Sequence, residues 1–231
     1  MKPDPSGLPA SSADMPEHTF VFADLAGFTA LTEAMGDADA ADLASDFYAA
    51  VQELAKGTDC EAVKLIGDAA MLRSRDAACA IELATKIVFD IGGRHSFPVI
   101  RAGLHSGPAV SREGDWFGAT VNIAARVSGE AAGAEVLLSD ATRQAAGSIE
   151  GLELLPRGRR ILKNVAEPVL LFAAARTGAG APTHLPVDPV CRMAVDPEHS
   201  AGRLTWNGAV FHFCSLQCAQ KFASRPETYV G

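Results

Sequence analysis

Apolar residues recur with two different periods along residues 17–176, which predicts a domain that mixes strands and helices. The apolar run HTFVFADL predicts a strand that ends at Asp24 and leads into a tight turn containing glycine. The segment DADAADLASDFYAAVQELAKG has apolar residues at helical spacing, and Gly57 is expected to end that helix. The chain therefore begins its ordered part with a strand, a turn and a long amphipathic helix.

The next segments repeat this order with a hairpin in the middle. CEAVKLIGDAAMLR predicts two strands that meet at Gly67-Asp68, and DAACAIELATKIVFDIGG predicts a second amphipathic helix beginning near Asp76. PVIRAGLHSGPAV predicts another pair of strands. ATVNIAARVSGEA predicts a helix, SDATRQAAG a short helix that Ser139 begins, and RRILKNVAEPVLLFAAA late strands. The order β-α-β-β-α-β is that of a ferredoxin-like α+β fold, which would bring Asp24 and Asp68 to one side of the sheet.

Composition narrows the class of protein. Of the 231 residues, 48% are hydrophobic, so the chain can bury a sizeable core. The net charge of −8 argues against a nucleic-acid partner or an anionic membrane surface, because both require concentrated Lys and Arg. No apolar run reaches the length of a membrane span, and five cysteines without a secretory segment do not predict a disulfide framework. We expect a soluble, cytoplasmic protein.

Two segments of biased composition divide the chain. Residues 1–16 are rich in Pro, Ser and Asp and lack an apolar stretch, so we expect a mobile N-terminal tail. Residues 177–186, TGAGAPTHLP, predict a linker. The expected organisation is a domain over residues 17–176 followed by a separate C-terminal module over residues 187–231.

Three segments carry the polar residues that point to chemistry. FADLAGFT, KLIGD and GDWFGATVNIAAR contain Asp24, Lys64, Asp68, Asp115, Asn122 and Arg126. In this order and with this spacing, the segments resemble the catalytic domain of the class III nucleotide cyclases (adenylate and guanylate cyclases) over residues 17–176. The resemblance implies conversion of a purine nucleoside triphosphate into a 3′,5′-cyclic nucleotide and pyrophosphate.

Asp24 and Asp68 are the candidate metal ligands. Attack of the ribose 3′-hydroxyl on the α-phosphate suits two divalent ions, one for the hydroxyl and one for the leaving phosphates. Mg²⁺ and Mn²⁺ prefer oxygen ligands, so paired carboxylates are natural anchors, and we expect two such ions per site. Taken singly, Asp24 could be a helix N-cap and Asp68 an ordinary turn residue.

Lys64 and Asp115 are the candidate base-reading pair. Lysine only donates hydrogen bonds and an ionised aspartate only accepts them, which fits N1 and the amino group of adenine. In the resembled family this pair marks adenylate cyclases, whereas guanylate cyclases typically carry Glu and Cys. The alternatives are a solvated strand-end lysine and a turn aspartate beside Gly114.

Asn122 and Arg126 stand four residues apart and would share one face of a helix. The resemblance assigns Asn122 to orienting the ribose and Arg126 to the charge that develops during phosphoryl transfer. A fixed guanidinium near the α-phosphate would stabilise the transition state more than the ground state. The alternative is a surface helix with an incidental arginine.

Further residues are candidates for holding the phosphates. Backbone amides of residues 26–29, among them Gly27 and Phe28, stand where a helix begins and could bind phosphate oxygens. Arg101 and Lys163 are cations at positions where relatives place phosphate ligands, or they belong to structural ion pairs. His18, His95 and His105 have no spacing that predicts metal binding.

The resemblance also implies an oligomer. In the resembled fold, one subunit supplies the metal-binding aspartates, and its partner supplies the Lys, the base-reading Asp, the Asn and the Arg. This chain carries both sets, so we expect a head-to-tail homodimer with two sites for ATP.

The C-terminal module carries a second motif. DPVCRM, WNGAVFHFCSLQC and the closing KFASRPETYV resemble the YHS domain, a small module of the TRASH-like metal-binding group, over residues 187–231. Cys191, Cys214 and Cys218 could bind Zn²⁺ or Cu⁺, with His212 or His199 as a fourth ligand. The alternative is that these cysteines are buried apolar residues of a docking surface. Cys60 and Cys79 are expected to be small buried hydrophobes.

These observations predict an adenylate cyclase whose activity the C-terminal module regulates. The alternative is a metal-binding or sensor protein that uses an inactive cyclase domain as a dimerisation scaffold. A palm-type polymerase or diguanylate cyclase also pairs two aspartates on such a sheet, but the chain has no GG[DE]EF signature. Activity on GTP as a minor substrate remains open.

Overall fold

A computed structural model describes residues 17–92, 94, 97–178 and 185–230. The predicted N-terminal tail, His95 and most of the predicted linker lie outside the described residues. Of the helices in the described part, none has both the length and the apolar character needed to cross a bilayer.

The described residues form eleven strands and six α-helices, together with a short 3₁₀ helix at Pro226–Thr228. The strands are β1 Glu17–Leu25, β2 Cys60–Ile66, β3 Ala69–Ser74, β4 Ile100–Pro108, β5 Val110–Arg112, β6 Asp115–Phe117, β7 Val136–Ser139, β8 Leu152–Arg160, β9 Val169–Arg176, β10 Gly202–Trp206 and β11 Ala209–Phe213. The helices are α1 Phe28–Met35, α2 Asp37–Ala55, α3 Ala77–Lys86, α4 Ala119–Glu130, α5 Asp140–Ala146 and α6 Leu216–Ser224. A π-helical turn, Ile87–Ile91, continues α3.

The central sheet confirms the predicted α+β, ferredoxin-like fold. Its seven strands follow the order β2-β3-β1-β4-β7-β9-β8. β1 lies in the interior and pairs antiparallel with both β3 and β4, as a split βαβ unit requires. The additions are β7, which pairs parallel with β4, and the antiparallel strands β9 and β8 beyond it.

The two faces of the sheet bury different residues, because successive side chains of a strand point to opposite sides. Val21, Ala23 and Leu25 of β1 join the large apolar cluster under α2 and α3. Phe20 and Phe22 join the cluster that α4 covers on the other face. The strand period therefore places Asp24 on the α4 side of the sheet.

Three local features differ from the sequence prediction. β5 pairs with β6 in a separate two-stranded sheet instead of with β4, because the single residue between β4 and β5 is too short for a hairpin turn. β6, which begins at Asp115, and the short buried strand β7 were not predicted. Both are too short, at three and four residues, to show a period.

The C-terminal module is a hairpin of β10 and β11 followed by α6. Ser215 caps α6 by accepting a hydrogen bond from the Cys218 amide at 3.1 Å. Phe213 and Phe222 are fully buried, and they belong to one apolar cluster with Leu31 of α1 and Ala40 of α2. The module therefore shares a core with the first two helices of the larger domain.

Candidate active site and thiol cluster

Asp24 and Asp68 approach each other at the end of β1, beside the turn that joins β2 to β3. Asp24 pairs in register with Ala69 on one side and with Arg101 on the other, and Asp68 occupies the turn just before Ala69. Burial raises the pKa of the Asp68 carboxyl, and the negative charge of Asp24 raises it further. Two neighbouring, partly buried carboxylates supply oxygen ligands of the kind that hard divalent cations prefer.

Arg101 is held by Asp24. Its Nε donates to Asp24 Oδ1 at 2.6 Å and its Nη2 to Oδ2 at 3.1 Å. This bidentate bond raises the pKa of Arg101. The structural ion pair considered for Arg101 is thus present, and a cation bound at Asp24 would have to compete with this guanidinium.

The base-reading candidates meet across two elements. Lys64, on β2, donates to Asp115 Oδ2 at 2.5 Å, and the Trp116 amide donates to Oδ1 at 2.8 Å. The hydrogen bond from Lys64 lowers the pKa of Asp115, so the carboxylate is ionised and acts only as an acceptor. The residues stand 51 positions apart in the chain, and the unpredicted strand β6 brings them together.

Asn122 and Arg126 are exposed on α4, four residues apart on one face. Among the described residues, neither side chain has a hydrogen-bond or ion-pair partner. α4 is fixed closely against the sheet: Thr120 Oγ1 donates to the Pro108 carbonyl at 2.6 Å, and a Cβ on Gly103 of β4 would stand 1.9 Å from the Ser128 nitrogen. The two polar side chains therefore project from a rigid support.

The turn between β1 and α1, residues 26–27, supplies the phosphate candidates. Gly27 precedes α1 with φ of 81°, a left-handed conformation that glycine adopts without strain. The Ala26 amide donates to the Val99 carbonyl at 2.7 Å, which fixes the turn to the chain before β4. The first amides of α1, beginning with Phe28, have no intrahelical acceptor and create positive potential at this end. Lys163 is exposed in the loop after β8, and in the described part of the chain no hydrogen bond or ion pair connects it to this turn.

The predicted cysteines converge in the C-terminal module. The Sγ atoms of Cys191 and Cys214 are 3.3 Å apart, and those of Cys214 and Cys218 are 3.9 Å apart. Sulfur atoms bound tetrahedrally at about 2.3 Å from Zn²⁺ lie about 3.8 Å apart, so the spacing suits a thiophilic metal. Hydrogen bonds from the thiols of Cys191 and Cys214 lower the pKa of Cys218 and so favour its thiolate form.

Asp188 is the residue of this cluster that the sequence reasoning missed. It is fully buried, and its carboxylate lies with the three sulfur atoms in a group whose ligand atoms are all within 4.8 Å of one another. It accepts from the amides of Val190 and Cys214, both at 2.8 Å, and of Cys191 at 3.4 Å. The available signal was its place at the start of DPVC, where an aspartate commonly bonds amides two and three residues ahead.

The histidines expected as a fourth ligand are not part of the cluster. Neither His212 nor His199 belongs to the group formed by Asp188 and the three cysteines. His212 lies opposite Arg203 in the β10–β11 hairpin, with Nδ1 buried, while His199 Nδ1 is 2.7 Å from Asp196 Oδ2. The fourth position is occupied by a carboxylate because the DPVC turn folds back onto Cys214.

The remaining cysteines and histidines have structural surroundings. Cys60 is buried, with its Sγ 3.3 Å from Cys79 Sγ, and burial raises its pKa to about 12. His18 packs edge-on against Trp116, and burial lowers its pKa. His105 Nδ1 lies 2.7 Å from Ser139 Oγ, and burial lowers its pKa to about 4.

Comparison with known proteins identifies both parts of the chain. Residues 11–172 match the family described as the adenylate and guanylate cyclase catalytic domain. The chain belongs to the adenylate and guanylate cyclase family. Residues 187–231 match the YHS domain, so the predicted resemblance is confirmed for both segments.

Two curated relatives and one solved structure show which known proteins the chain is similar to. A pH-sensitive adenylate cyclase of Mycobacterium tuberculosis is 38% identical over 169 residues, which are 70% of this chain and 42% of that protein. A copper-transporting P-type ATPase of Rhizobium leguminosarum bv. viciae is 46% identical over 43 residues, 19% of this chain and 5% of that protein. The chain thus spans less than half the length of both.

The solved structure is of adenylate cyclases from Trypanosoma brucei in their monomeric state. It superposes with a TM-score of 0.64 at 20% identity, covering 71% of this chain and 90% of that one. At this level of identity the likeness shows the fold of the cyclase domain.

Proposed function

We propose that this protein is an adenylate cyclase that converts ATP into 3′,5′-cyclic AMP and pyrophosphate in the cytoplasm. The observation that carries the proposal is that the α4 side of the sheet holds both halves of the required chemistry. Two adjacent carboxylates lie at the edge near the β1–α1 turn, and the Lys64–Asp115 pair and α4 supply groups suited to a nucleoside.

Asp24 and Asp68 are proposed to hold two Mg²⁺ or Mn²⁺ ions. Their oxygen-only donor set, and the negative charge of Asp24 beside Asp68, fit divalent cations of this hardness. When bound, such ions would make the 3′-hydroxyl a better nucleophile and neutralise the leaving phosphates. The amides at the start of α1, next to Gly27 and Phe28, would donate hydrogen bonds to phosphate oxygens, and Arg101 would provide a nearby positive charge.

Lys64 and Asp115 are proposed to select adenine. In the protein alone Lys64 donates a hydrogen bond to Asp115 at 2.5 Å, so both side chains lie at one place where a base could bind. Lysine would donate to N1 and aspartate would accept from the amino group. Guanine would present a carbonyl to Asp115, so the mismatch is expected to cost about 1–3 kcal/mol.

Asn122 and Arg126 are proposed to act on the ribose and the α-phosphate. Within the described part of the chain their side chains are exposed and have no polar partner, so they are available to a substrate. A guanidinium fixed on α4 would stabilise the charge that builds on the phosphate as the cyclic ester forms. Asn122 would orient the ribose so that its 3′-hydroxyl faces that phosphate.

We further propose that two copies of the chain form each site. Exposed apolar side chains stand next to the site residues: Ile66, two residues from both Lys64 and Asp68, is 46% exposed, and Phe117, two residues from Asp115, is 52% exposed. A second copy bound head to tail would cover them and would align the aspartates of one protomer with the base-reading pair of the other.

The test measures cyclic AMP formation from ATP with Mg²⁺ or Mn²⁺ for wild-type protein, Asp24→Ala and Arg126→Ala. Each variant alone should be inactive. Mixing them should restore about a quarter of the wild-type rate, because random pairing gives about half mixed dimers, each with one intact site. The matched controls are Asp42→Ala and Arg159→Ala, which remove an exposed aspartate and an exposed arginine. Both should leave the rate unchanged.

The same assay separates the alternatives. Product from GTP in preference to ATP would overturn the base assignment. An inactive mixture of two individually inactive variants would exclude a shared site. Wild-type protein that is inert with both nucleotides at high concentration would instead favour a metal-binding or sensor protein with the cyclase domain as a scaffold.

A metal-binding function of the YHS module is a second proposal, and the sulfur spacing of the cluster favours it. Cys191, Cys214 and Cys218 are proposed to bind Zn²⁺ or Cu⁺, with the Asp188 carboxylate alongside. The copper-transporting relative supports a soft, thiophilic ion. Stoichiometric binding of Zn²⁺ to wild-type protein that is absent in Cys214→Ser would be the expected result.

A further inference from the structure

The YHS module is packed onto the helix that begins at the phosphate turn. Leu31 of α1 and Ala40 of α2 share an apolar cluster with Val190 and Cys191, and the Leu31 side chain is only 2% exposed. Phe28, the first residue of α1, packs against this cluster and also against the core of the cyclase domain. Cys191, one of the three clustered cysteines, thus lies in the contact between the two parts of the chain.

Backbone hydrogen bonds join the module to the same turn. The Val99 amide donates to the Arg192 carbonyl at 3.4 Å, and the Ala194 amide donates to the Phe97 carbonyl at 2.9 Å. Val99 in turn accepts from the Ala26 amide at 2.7 Å. Val99 therefore contacts the residue after Cys191 on one side and the phosphate turn on the other.

Arg192 makes the closest contact. A Cβ on Gly27 would lie 2.5 Å from Arg192 Cγ and 3.2 Å from its Cβ, so the arginine stem covers the glycine. Arg192 itself has φ of 65°, a left-handed conformation unusual for a residue with a side chain. Its amide donates to the Asp188 carbonyl at 2.9 Å, so the DPVC turn imposes this conformation.

Among the described residues, the positive charge of Arg192 is not paired with an acidic group, and its guanidinium forms no hydrogen bond or ion pair. A cation beside the first turn of a helix is electrostatically unfavourable unless an anion lies between them. The substrate proposed for this turn is such an anion, a triphosphate. At the other end of α1, Lys221 of the module donates to the Glu33 carbonyl at 3.3 Å, where a cation is favourable.

The residues that would bind the metal and those that contact the turn belong to one short segment. Asp188 and Cys191 are members of the cluster, and Arg192, Met193 and Ala194 form the contacts with residues 97–99 and Gly27. The Asp188 carboxylate also bonds the Cys214 amide at 2.8 Å, which links this segment to the other two cysteines. Fixing the thiolates around an ion would fix the whole segment.

We propose that metal loading of the Asp188–Cys191–Cys214–Cys218 cluster holds Arg192 over Gly27 and thereby raises the affinity of the phosphate turn for ATP. This inference rests on the adenylate cyclase function proposed above. The module would act as a metal-dependent support for the turn, and the observed packing is the arrangement that the loaded cluster favours.

The test uses the full chain with Mg²⁺ in large excess, with and without one equivalent of Zn²⁺. Zn²⁺ should lower KM for ATP by at least about fivefold, the lower end of the usual range for coupling between two sites, with little change in kcat. Cys214→Ser should lose both Zn²⁺ binding and the response. Arg192→Gly, which keeps the left-handed backbone and removes the stem, should bind Zn²⁺ normally and lose the response.

Arg203→Ala is the matched control, because Arg203 is an exposed arginine on β10 of the same module. It should bind Zn²⁺ and respond as wild type does. An Arg192→Gly variant whose KM responds as in wild type would overturn the proposal, as would a rise in the wild-type KM on loading. So would Zn²⁺ binding to wild-type protein that is no tighter than to Cys214→Ser.

A second readout does not depend on catalysis. Hydrogen exchange of the Ala26 and Leu31 amides, which donate to Val99 and Gly27, should slow when Zn²⁺ binds to wild-type protein and not in Cys214→Ser. If the protein forms no cyclic nucleotide, the proposed function fails and this exchange alone decides the coupling. Exchange unchanged by bound Zn²⁺ would refute the coupling in an active or inactive protein.

Discussion

At Asp115, a single carboxylate is expected to decide between adenine and guanine. An asparagine at this position can donate as well as accept, so Asp115→Asn should tolerate the guanine carbonyl. We expect the ATP-to-GTP preference in kcat/KM to fall by about 10- to 100-fold, which corresponds to about 1–3 kcal/mol of discrimination. Initial rates with each nucleotide measure it. Asp140→Asn, which alters an ion-paired aspartate on α5, should keep the preference, and equal preferences in the two variants would contradict the role of Asp115.

His105 is expected to make stability depend on pH. Folding lowers its pKa from 6.5 to about 4 because the imidazole is buried beside Ser139. The unfolded chain therefore binds this proton more tightly, so the contribution is complete above pH 6.5 and is lost as pH falls towards 4. We expect a loss of about 3 kcal/mol in the free energy of unfolding from this residue.

Urea denaturation of wild type and His105→Gln, at neutral pH and near pH 4, tests this expectation. Glutamine can keep the hydrogen bond to Ser139 but does not titrate, so the variant should lose less stability on acidification. Identical losses in the two proteins would show that other groups cause the acid sensitivity.

At the scale of elements, the position of α4 depends on one glycine of the strand beneath it. A Cβ on Gly103 would lie 1.9 Å from the Ser128 nitrogen and 2.5 Å from the Val127 carbonyl carbon, and helix backbone cannot move as a side chain can. We expect Gly103→Ala to cost about 3 kcal/mol or more and to displace Asn122 and Arg126. Chemical denaturation and cyclase assays measure the two effects.

Gly129, near the end of the same helix, provides the control. A Cβ there would meet nothing within 4 Å, so Gly129→Ala should be neutral or stabilise the protein by about 0.5–1 kcal/mol through helix propensity. Comparable destabilisation by both substitutions would mean that close packing of α4 on β4 is not the cause.

At the scale of the whole molecule, activity is expected to depend on a second copy. Phe117 and Leu216 are both exposed apolar residues, 52% and 66%, but Phe117 lies next to Asp115 and Leu216 lies on the YHS module. Phe117→Glu should weaken the dimer and make the specific activity fall more steeply on dilution, because a buried unpaired charge opposes association. Leu216→Glu should behave as wild type does.

Sedimentation velocity and the rate per protomer across a dilution series measure this dependence. A specific activity that is constant with concentration while the protein sediments as a monomer would rule out a composite site. Loss of dimer in both variants would move the interface to include the YHS module.

Much of the fold was predictable because its signals are local. Phe47 and Val51 lie at helical spacing and are fully buried, and Asp76 caps α3 by accepting from two amides, as its position predicted. β6 and β7 could not be predicted, since three or four residues show no period, and β7 also pairs with β4, which lies far away in the chain. β5 also has only three residues, and its partner β6 could not be predicted, so its pairing was assigned incorrectly.

The sequence by itself determined which residue types are present and in what order: the paired aspartates, the lysine and aspartate suited to adenine, and the three cysteines. These depend on chemistry and spacing, both of which can be read from the sequence alone. Only the tertiary structure decided that Arg101 is bound by Asp24, that Asp188 completes the thiol cluster, and that Arg192 covers Gly27. Each of these contacts joins residues far apart in the chain or depends on a left-handed backbone, and long-range packing, not local pattern, fixes such geometry.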